Sequence, residues 1–545
     1  LDNVIKEVAM DETEEKTSNN IARDSLMMTG LVFISRLTGF VRTWAQAFAL
    51  GATMLASCYT VANNIPNLLF EITIGGMLYT AFLPVYMTVK NKAGKKGASD
   101  YVSNMSSIIL LLMTIMTIVA FIFAAPLVFT QSAGADESFL FDTATLFFRF
   151  FCVEVLLYPL SALLGAVLNA ERKYFWGQAS PIFNNIVVIA SFLIGFQVAQ
   201  TNEFMGFLIY AIGNPLGVFV QVILQIAPMR RAGIKIKLKI NWHDPELKET
   251  LKIGLPSFLN TICAAVLASV QSSWSLVSND SGAAILYYVR VWFVLPASLF
   301  AVPISTATFT ELSDLFSLHK MDAFKERTIK GARQILFMMI PFCLYLIVFA
   351  PFLMAFFASG NFSSETYTTS WVTLIFISTA LPFYALVSYL QNVCAALHNL
   401  RFFSYCYVVF TIVSCAFCIV VGEMTGLVGV VLSITLFNLL MTVAVFVRIR
   451  VVLGHIGIGQ MLRNSLVMFL LSCVGALVGG TIAYSIGNML LGDAAFYTVA
   501  QSFISLLFGG LVAVVATYGL AMLFHVPEAE LIRSSLGKIK SKIHG

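Results

Sequence analysis

Four arginines stand inside apolar runs of helix length: Arg36, Arg42, Arg149 and Arg290. A charge held at mid-membrane costs about 2.5–3.5 kcal/mol on insertion scales, so such residues face a bundle interior or a water-filled cavity. Arginine carries a planar fork of donors that fits a phosphate at two points. Arg36 and Arg42 are six residues apart, roughly 9 Å along one helix and about 120° around it. Gly39 between them permits a close approach or a bend. Arg290 and Arg149 each lie about two turns into their runs. Two roles are open for each arginine: binding an anionic ligand, or pairing with Glu71, Glu154 or helix-end carbonyls. For Arg149 a third is open, reaching outward to the interface.

Glu71 and Glu154 are the acids placed deep within apolar runs, as salt-bridge partners or as protonatable groups coupled to transport. Asn63, Asn64, Pro66 and Asn67 interrupt another run, with Gly75 and Gly76 further along. A helix broken in this way exposes backbone only where it lines a cavity, which makes the segment a hinge or site element. Asn184, Asn185 and Asn214 read as hydrogen-bond formers between helices. The nine cysteines fall in apolar runs and read as packing thiols, and Cys415 with Cys418 form a lone CxxC without His or acidic neighbours. No Walker A motif, dinucleotide glycine fingerprint, HExxH or nucleophile–base constellation occurs. The chain is therefore expected to be no enzyme and to take no cofactor, metal or nucleic acid.

The elements that position these residues follow from composition. Of 545 residues 59% are hydrophobic and 11% charged, with mean hydropathy +0.86; soluble domains carry about 25% charged residues. The expected fold is an all-α polytopic membrane protein. Apolar runs cover 25–49, 56–88 (broken at Pro66), 101–130, 143–169, 178–199, 204–228, 253–277, 284–310, 334–358, 370–397, 403–422, 425–447, 464–487 and 495–524. These are about fourteen transmembrane helices at roughly 20 residues each. With both termini cytoplasmic, every one of the 33 Lys and Arg apart from the four arginines above falls on the inside. The outer loops then hold only acids such as Glu137, Asp142 and Glu423. The expected organisation is a disordered arm (1–24), a six-helix lobe (25–228), a basic inter-lobe loop (229–252), a second six-helix lobe (253–450), two additional helices (464–524) and a basic tail (525–545). Pro66 and Pro296 at comparable depths hint at a parallel repeat. Residues 1–24 lack the basic and apolar regions of a cleavable signal, and the absence of an initiating Met suggests that the sequence begins internally.

The stretch Ser35-Arg36-Leu37-Thr38-Gly39-Phe40-Val41-Arg42 resembles the first-span signature of the MurJ/MviN lipid II flippases of the MOP exporter superfamily. Ile65-Pro66-Asn67-Leu68-Leu69, Thr80 to Tyr86, Leu163 to Asn169, and Pro181 with Phe183, Asn184 and Asn185 carry the match over about the first 225 residues. Tyr287-Tyr288 and Pro296 are its landmarks further on. The chain departs from the family pattern at Thr43, Ser57, Phe70 and Gly75, where relatives commonly carry charges. Arg290 stands one residue from the family's arginine, and the Thr-Pro turn of relatives is missing near Arg401–Ser404.

The resemblance implies two six-helix lobes, a basic cavity for a lipid diphosphate and its sugar, and a groove at the last two helices for a polyprenyl tail. It implies a bacterial inner-membrane flippase for an undecaprenyl-diphosphate-linked peptidoglycan precursor, lipid II, working by alternating access among membrane lipids and cell-wall synthesis proteins. Arg36, Arg42, Arg290 and Arg149 are then the substrate-binding candidates. The alternatives are a MOP exporter of another polyprenyl-linked glycan or small molecule, and a non-transporting scaffold. No acid stands in the runs that would supply the sodium site proposed for some members, so the expected drive is the membrane potential, with Glu71 and Glu154 as titratable candidates.

Overall fold

A computed structural model describes residues 27–75, 82–277, 279–358, 362–491, 497–530 and 532–533. The expected N-terminal arm, and the tail beyond Arg533, lie outside them, as does Gly76. Among the described residues the structure is helical, with no strand. In chain order the helices are α1 (27–50), α2 (Met54–Phe70), α3 (Leu83–Ile122), α4 (Ala124–Ser132), α5 (Phe141–Phe151), α6 (Glu154–Ala170), α7 (Tyr174–Ala199), α8 (Glu203–Arg231) and α9 (Pro245–Trp274). There follow α10 (Gly282–Pro296), α11 (Val302–Ser317), α12 (Met321–Val348), α13 (Ala350–Ala355), α14 (Ser364–Ser378), α15 (Leu381–Ala396), α16 (Leu400–Thr425), α17 (Leu427–Leu453), α18 (Ile458–Leu491) and α19 (Val499–Leu523).

Ten helical stretches among the described residues are long and apolar enough to cross a membrane, or eleven if the bent pair α14–α15 is one span. Helices α1, α2 and α9 occupy the three remaining apolar runs, so the arrangement is consistent with fourteen. Several polar breaks prove helical. The basic segment after the second run lies inside α3, which is 40 residues long and interrupted only at Gly94, where φ is 65°. The sequence Asn91-Lys92-Ala93 continues a helix readily, and its charges need only protrude beyond the apolar layer. Helix α2 likewise runs on through Pro66; the departure from α geometry comes at a π-helical turn, Glu71–Gly75. A second π turn, Ala297–Ala301, follows Pro296 directly, so each of the two prolines has a wide turn on its C-terminal side.

The chain divides into two compact units. The first comprises the described residues up to Ala49, with Val61–Val128 and Phe141–Ile262. Its helices α7 and α8 touch closely: a Cβ at Gly213 would collide with Ser191, and one at Gly217 with Asn184. Small residues at such crossings substitute dispersion for a hydrophobic drive that is absent in lipid. The second unit comprises Leu50–Thr60, Phe129–Leu140 and the chain from Cys263 on. Within it, the Tyr288 hydroxyl donates to the Gly51 carbonyl at 2.7 Å and the Ala284 N–H to Ser57 Oγ at 3.3 Å. The additional helices α18 and α19 belong to this unit. Phe337 of α12, Met468 of α18 and Ala521 of α19 share one buried cluster, and Arg333 pairs with the buried Glu528.

Four helices stop in the same way. Beyond α6, α11, α15 and α19 the chain turns at Arg172, His319, His398 and His525, each left-handed with φ of 52–56°. After each, an N–H reaches back across the last turn, as from Lys173 to the Leu168 carbonyl (2.8 Å) and from Lys320 to Leu315 (3.0 Å). This is the Schellman closure of a helix end. Helices α8 and α17 end on Gly233 (φ 89°) and Gly454 (φ 79°) instead. All nine cysteines are free thiols.

Candidate functional site

In the first unit, Arg42 points from α1 to α8, where an Nη atom donates to Asn214 Oδ1 at 3.0 Å. The Asn214 amide nitrogen in turn donates to Asn63 Oδ1 of α2 and, at 3.3 Å, to Glu154 Oε2 of α6. Four helices thus place Arg42, Asn63, Glu154 and Asn214 in one network. Glu154 and Asn214 are fully buried and Asn63 is 8% exposed. Burying a carboxylate and a guanidinium costs several kcal/mol per ion unless their hydrogen-bonding positions are filled. The amide of Asn214 serves both, offering its oxygen to the cation and its nitrogen to the acid.

A second set of hydrogen bonds runs along the α6–α7–α8 seam. Asn184 donates to Gln221 (2.9 Å), Gln221 to Ser161 (2.8 Å), Ser161 to Gln225 (3.1 Å) and Gln225 to Ser180 (2.9 Å). Asn185 donates to Thr38 Oγ1 (3.0 Å) and the Ser35 carbonyl (3.3 Å), tying α7 to α1. Its amide nitrogen is the group nearest to Gly39, 3.7 Å from where a Cβ would stand. Gly39 therefore marks the α1–α7 crossing. The interhelical role expected of the three asparagines holds, and Asn214 adds to it by orienting Arg42. Gln221 and Gln225 give no pattern in the sequence, being single amides at helical spacing; their depth in the second half of α8 is the one signal they carry.

Other candidates stand apart. Arg36 is exposed on α1 and has no ion-pair partner among the described residues. Arg149 is exposed on α5, its guanidinium 5.8 Å from the centroid of the Phe121 ring. Glu71 is exposed on the π turn, Asn67 is exposed and donates to the Asn63 carbonyl at 3.0 Å, Asn64 is half-buried and Pro66 is buried. Arg290 belongs to the second unit, where it lines a cavity of about 450 Å³ between α9, α10, α15, α16 and α17. An Nη atom donates to Gln271 Oε1 at 2.8 Å, and Gln271 donates onward to Ser433 at 3.3 Å. The polar groups around it are neutral: Tyr384, Ser388, Gln391, Tyr407 and Asn438. Among the described residues, each unit thus holds an inward-turned arginine bonded to an amide, Arg42 to Asn214 and Arg290 to Gln271.

Residues 46–517 match the family model described as lipid II flippase MurJ. A probable lipid II flippase of Vibrio cholerae is 25% identical over 381 residues, covering 68% of this chain and 72% of that protein. One of Haemophilus influenzae is 26% identical over 389 residues, covering 66% and 73%. Among solved structures, a lipid II flippase in an inward closed conformation superposes with TM-score 0.71 at 20% identity, covering 92% of this chain and all but 1% of that one, whose covered share is 99%. An inward-facing multidrug transporter of the MATE family and MOP superfamily gives TM-score 0.64 at 13% identity, covering 79% and 98%.

Proposed function

The chain belongs to the MurJ family of lipid II flippases, and on that premise we propose that it moves lipid II, an undecaprenyl-diphosphate-linked peptidoglycan precursor, from the cytoplasmic to the outer leaflet of a bacterial inner membrane by alternating access. The single observation that carries this reading is Arg42, turned inward and fixed by Asn214 in a network that also holds Asn63 and Glu154. The diphosphate of such a lipid, esterified at both ends, is a dianion, and a guanidinium whose geometry is set beforehand grips it with less ordering cost. Arg36, exposed and without a carboxylate, supplies a second donor fork on the same helix. Arg290, in a cavity of its own within the other unit, is a further substrate-binding residue in this reading. Asn63, Asn64, Pro66 and Asn67, leading into the π turn at Glu71, form the hinge element of α2. Both termini lie in the cytoplasm, on the side of the basic segments.

A drug-cation exporter would place carboxylates where these arginines stand, so an anionic lipid-linked glycan is favoured over it. Drive comes from the membrane potential, worth about 2.3 kcal/mol per charge at 100 mV, without sodium. Vesicle transport that stops when sodium is removed at constant potential would refute this coupling. The decisive experiment is complementation. The chain should restore growth to a strain depleted of its lipid II flippase, Arg36→Ala and Arg42→Ala should each impair rescue at unchanged membrane levels, and Arg→Lys should rescue in part. Full rescue by the Arg36→Ala, Arg42→Ala double variant would end the diphosphate reading, and no rescue by the intact, membrane-inserted chain would favour a scaffold.

A further inference from the structure

The segment between α8 and α9 is neither helix nor free loop. After the turn at Gly233 and the buried Ile234, residues 235–241 run alongside α3, and every second residue is bonded to it. The N–H groups of Lys235, Lys237 and Lys239 donate to Ser99, Ser103 and Ser107 (3.4, 3.0 and 3.0 Å). Ser103 and Ser107 donate back to the carbonyls of Lys235 and Lys237. The Asn241 N–H then donates to Asn104 Oδ1 at 2.7 Å, and Asn104 returns a bond to the Asn241 carbonyl. The register is geometric. Serines four apart on a helix are about 6 Å apart along its axis, and residues two apart in extended chain advance roughly 6.6 Å.

This docking uses one edge of the ribbon only. Side chains alternate across an extended chain, which places Lys235, Lys237 and Lys239 on one face and Ile236, Leu238 and Ile240 on the other. All six are exposed, Leu238 at 85%, and Trp242 beyond them at 49%. An apolar face this open is costly in water, at about 25 cal/mol per Å². Its setting says what covers it. The serine ladder ends at Ser107, and within one turn α3 becomes exposed and apolar at Leu110, Leu111 and Leu112, continuing to Ile115 and Ile118. The apolar face of the ribbon therefore adjoins the part of α3 that meets the hydrocarbon. Its basic face continues the exposed cations Lys92, Lys95, Lys96, Arg230 and Arg231. Among the described residues the acid paired with it is Asp100, 3.6 Å from Lys239 in an exposed contact worth little.

We propose that residues 234–242 are a lipid-docking ribbon, seated in the interface of the leaflet on the basic side, with Leu238, Ile240 and Trp242 at the acyl boundary and Lys235, Lys237 and Lys239 on the phosphates of anionic phospholipids. Tryptophan and snorkelling lysine are the residues that favour this layer. The serine ladder holds the ribbon at that depth beside α3, so the α8–α9 connection is moored to the membrane instead of swinging in water.

The test uses the full chain with Leu238→p-benzoylphenylalanine, reconstituted in vesicles of phosphatidylcholine and phosphatidylglycerol, and identifies photo-adducts by mass. Leu238 is exposed and apart from the serine pairing, so the change leaves the docking intact; monodisperse elution confirms folding. Phospholipid adducts should dominate at 238 and fall several-fold when the probe replaces Lys237. Changing Lys235, Lys237 and Lys239 together to Gln should lower the phosphatidylglycerol preference of the adducts by up to about 100-fold, from a factor of roughly 5 per lysine. Absence of lipid adducts from the folded protein overturns the proposal. So do adducts with a second polypeptide, which would make the free ribbon edge a strand-pairing site, and a lipid preference unaltered in the triple variant.

Discussion

Asn214→Ala isolates how Arg42 is made ready for an anion. The substitution removes the acceptor 3.0 Å from Arg42 and the donor to Asn63 and Glu154, yet leaves the guanidinium itself in place. A hydrogen bond to a charged group contributes about 1.5–3 kcal/mol. Losing that bond widens the range of rotamers open to Arg42, and ordering it again on binding costs about 0.5–1.5 kcal/mol. Binding of a lipid diphosphate should therefore weaken about 2- to 12-fold in Asn214→Ala, against about 10- to 150-fold in Arg42→Ala, where the charge-assisted bonds to ligand are lost outright. Because Asn214 acts on the ligand through Arg42, the double variant should bind no worse than Arg42→Ala alone. Titration of the purified protein with a short-chain prenyl diphosphate, in four variants under one buffer, measures the cycle. Additive losses would refute the reasoning, for they would mean that Asn214 contributes independently of Arg42. Thermal stability should behave differently, with Asn214→Ala lowering it even in the Arg42→Ala background, since the bonds to Asn63 and Glu154 remain to be lost.

Three further outcomes follow from features outside that network. At the end of α6, burial alone would raise the Glu171 carboxyl, but Lys90 at 2.7 Å and the Tyr86 hydroxyl at 2.6 Å outweigh it and hold the group below its ordinary value. A depressed carboxyl stabilises the fold above its unfolded pKa and loses that contribution as pH falls through the folded one, so acid unfolding scans below about pH 4.5 should be flatter in Glu171→Gln than in the parent. Arg149→Ala removes only an exposed cation over an aromatic face, worth about 0.5–1 kcal/mol, and complementation should stay within about fivefold of the parent; loss comparable to Arg42→Ala would return Arg149 to the binding site. Impermeant thiol labelling of Glu137→Cys and Glu249→Cys, both exposed, in a cysteine-depleted background should find the first outside and the second inside, and labelling of both from one side would overturn the orientation.

Helix-forming runs were legible because a membrane demands them: continuous apolar stretches have no other way to satisfy their backbone. Their ends were less so. The polar stretch around Gly94 reads as a loop, yet it is helix on both sides of one left-handed residue, because nothing in lipid-exposed sequence distinguishes a helix that overshoots the apolar layer from one that stops. At the site, the arginines announced themselves by cost. Arg36 reads alike in sequence to Arg42, and what separates them is helix rotation relative to neighbours, which a six-residue spacing hints at but cannot fix. The partner of Arg42 was visible as an amide and not as a partner, since the contact joins residues 172 positions apart.

The left-handed stops at Arg172, His319, His398 and His525 have a consequence for anyone seeking a sturdier version of this protein. A side chain in that conformation is strained by about 1–2 kcal/mol where glycine is at ease, and α8 and α17 end on glycine with no such strain. Histidine at three of these stops therefore forgoes stability that the backbone geometry already makes available. Replacing His319, His398 and His525 with glycine asks the chain to adopt no new shape. Each exchange should raise the unfolding temperature, lessened by the entropy that glycine returns to the unfolded chain and by loss of any attraction between a cationic ring and the negative helix end. Arg172 is the stop to leave alone, for the turn it makes presents Glu171 to Lys90. Thermostabilised variants for structural work thus have an obvious starting set.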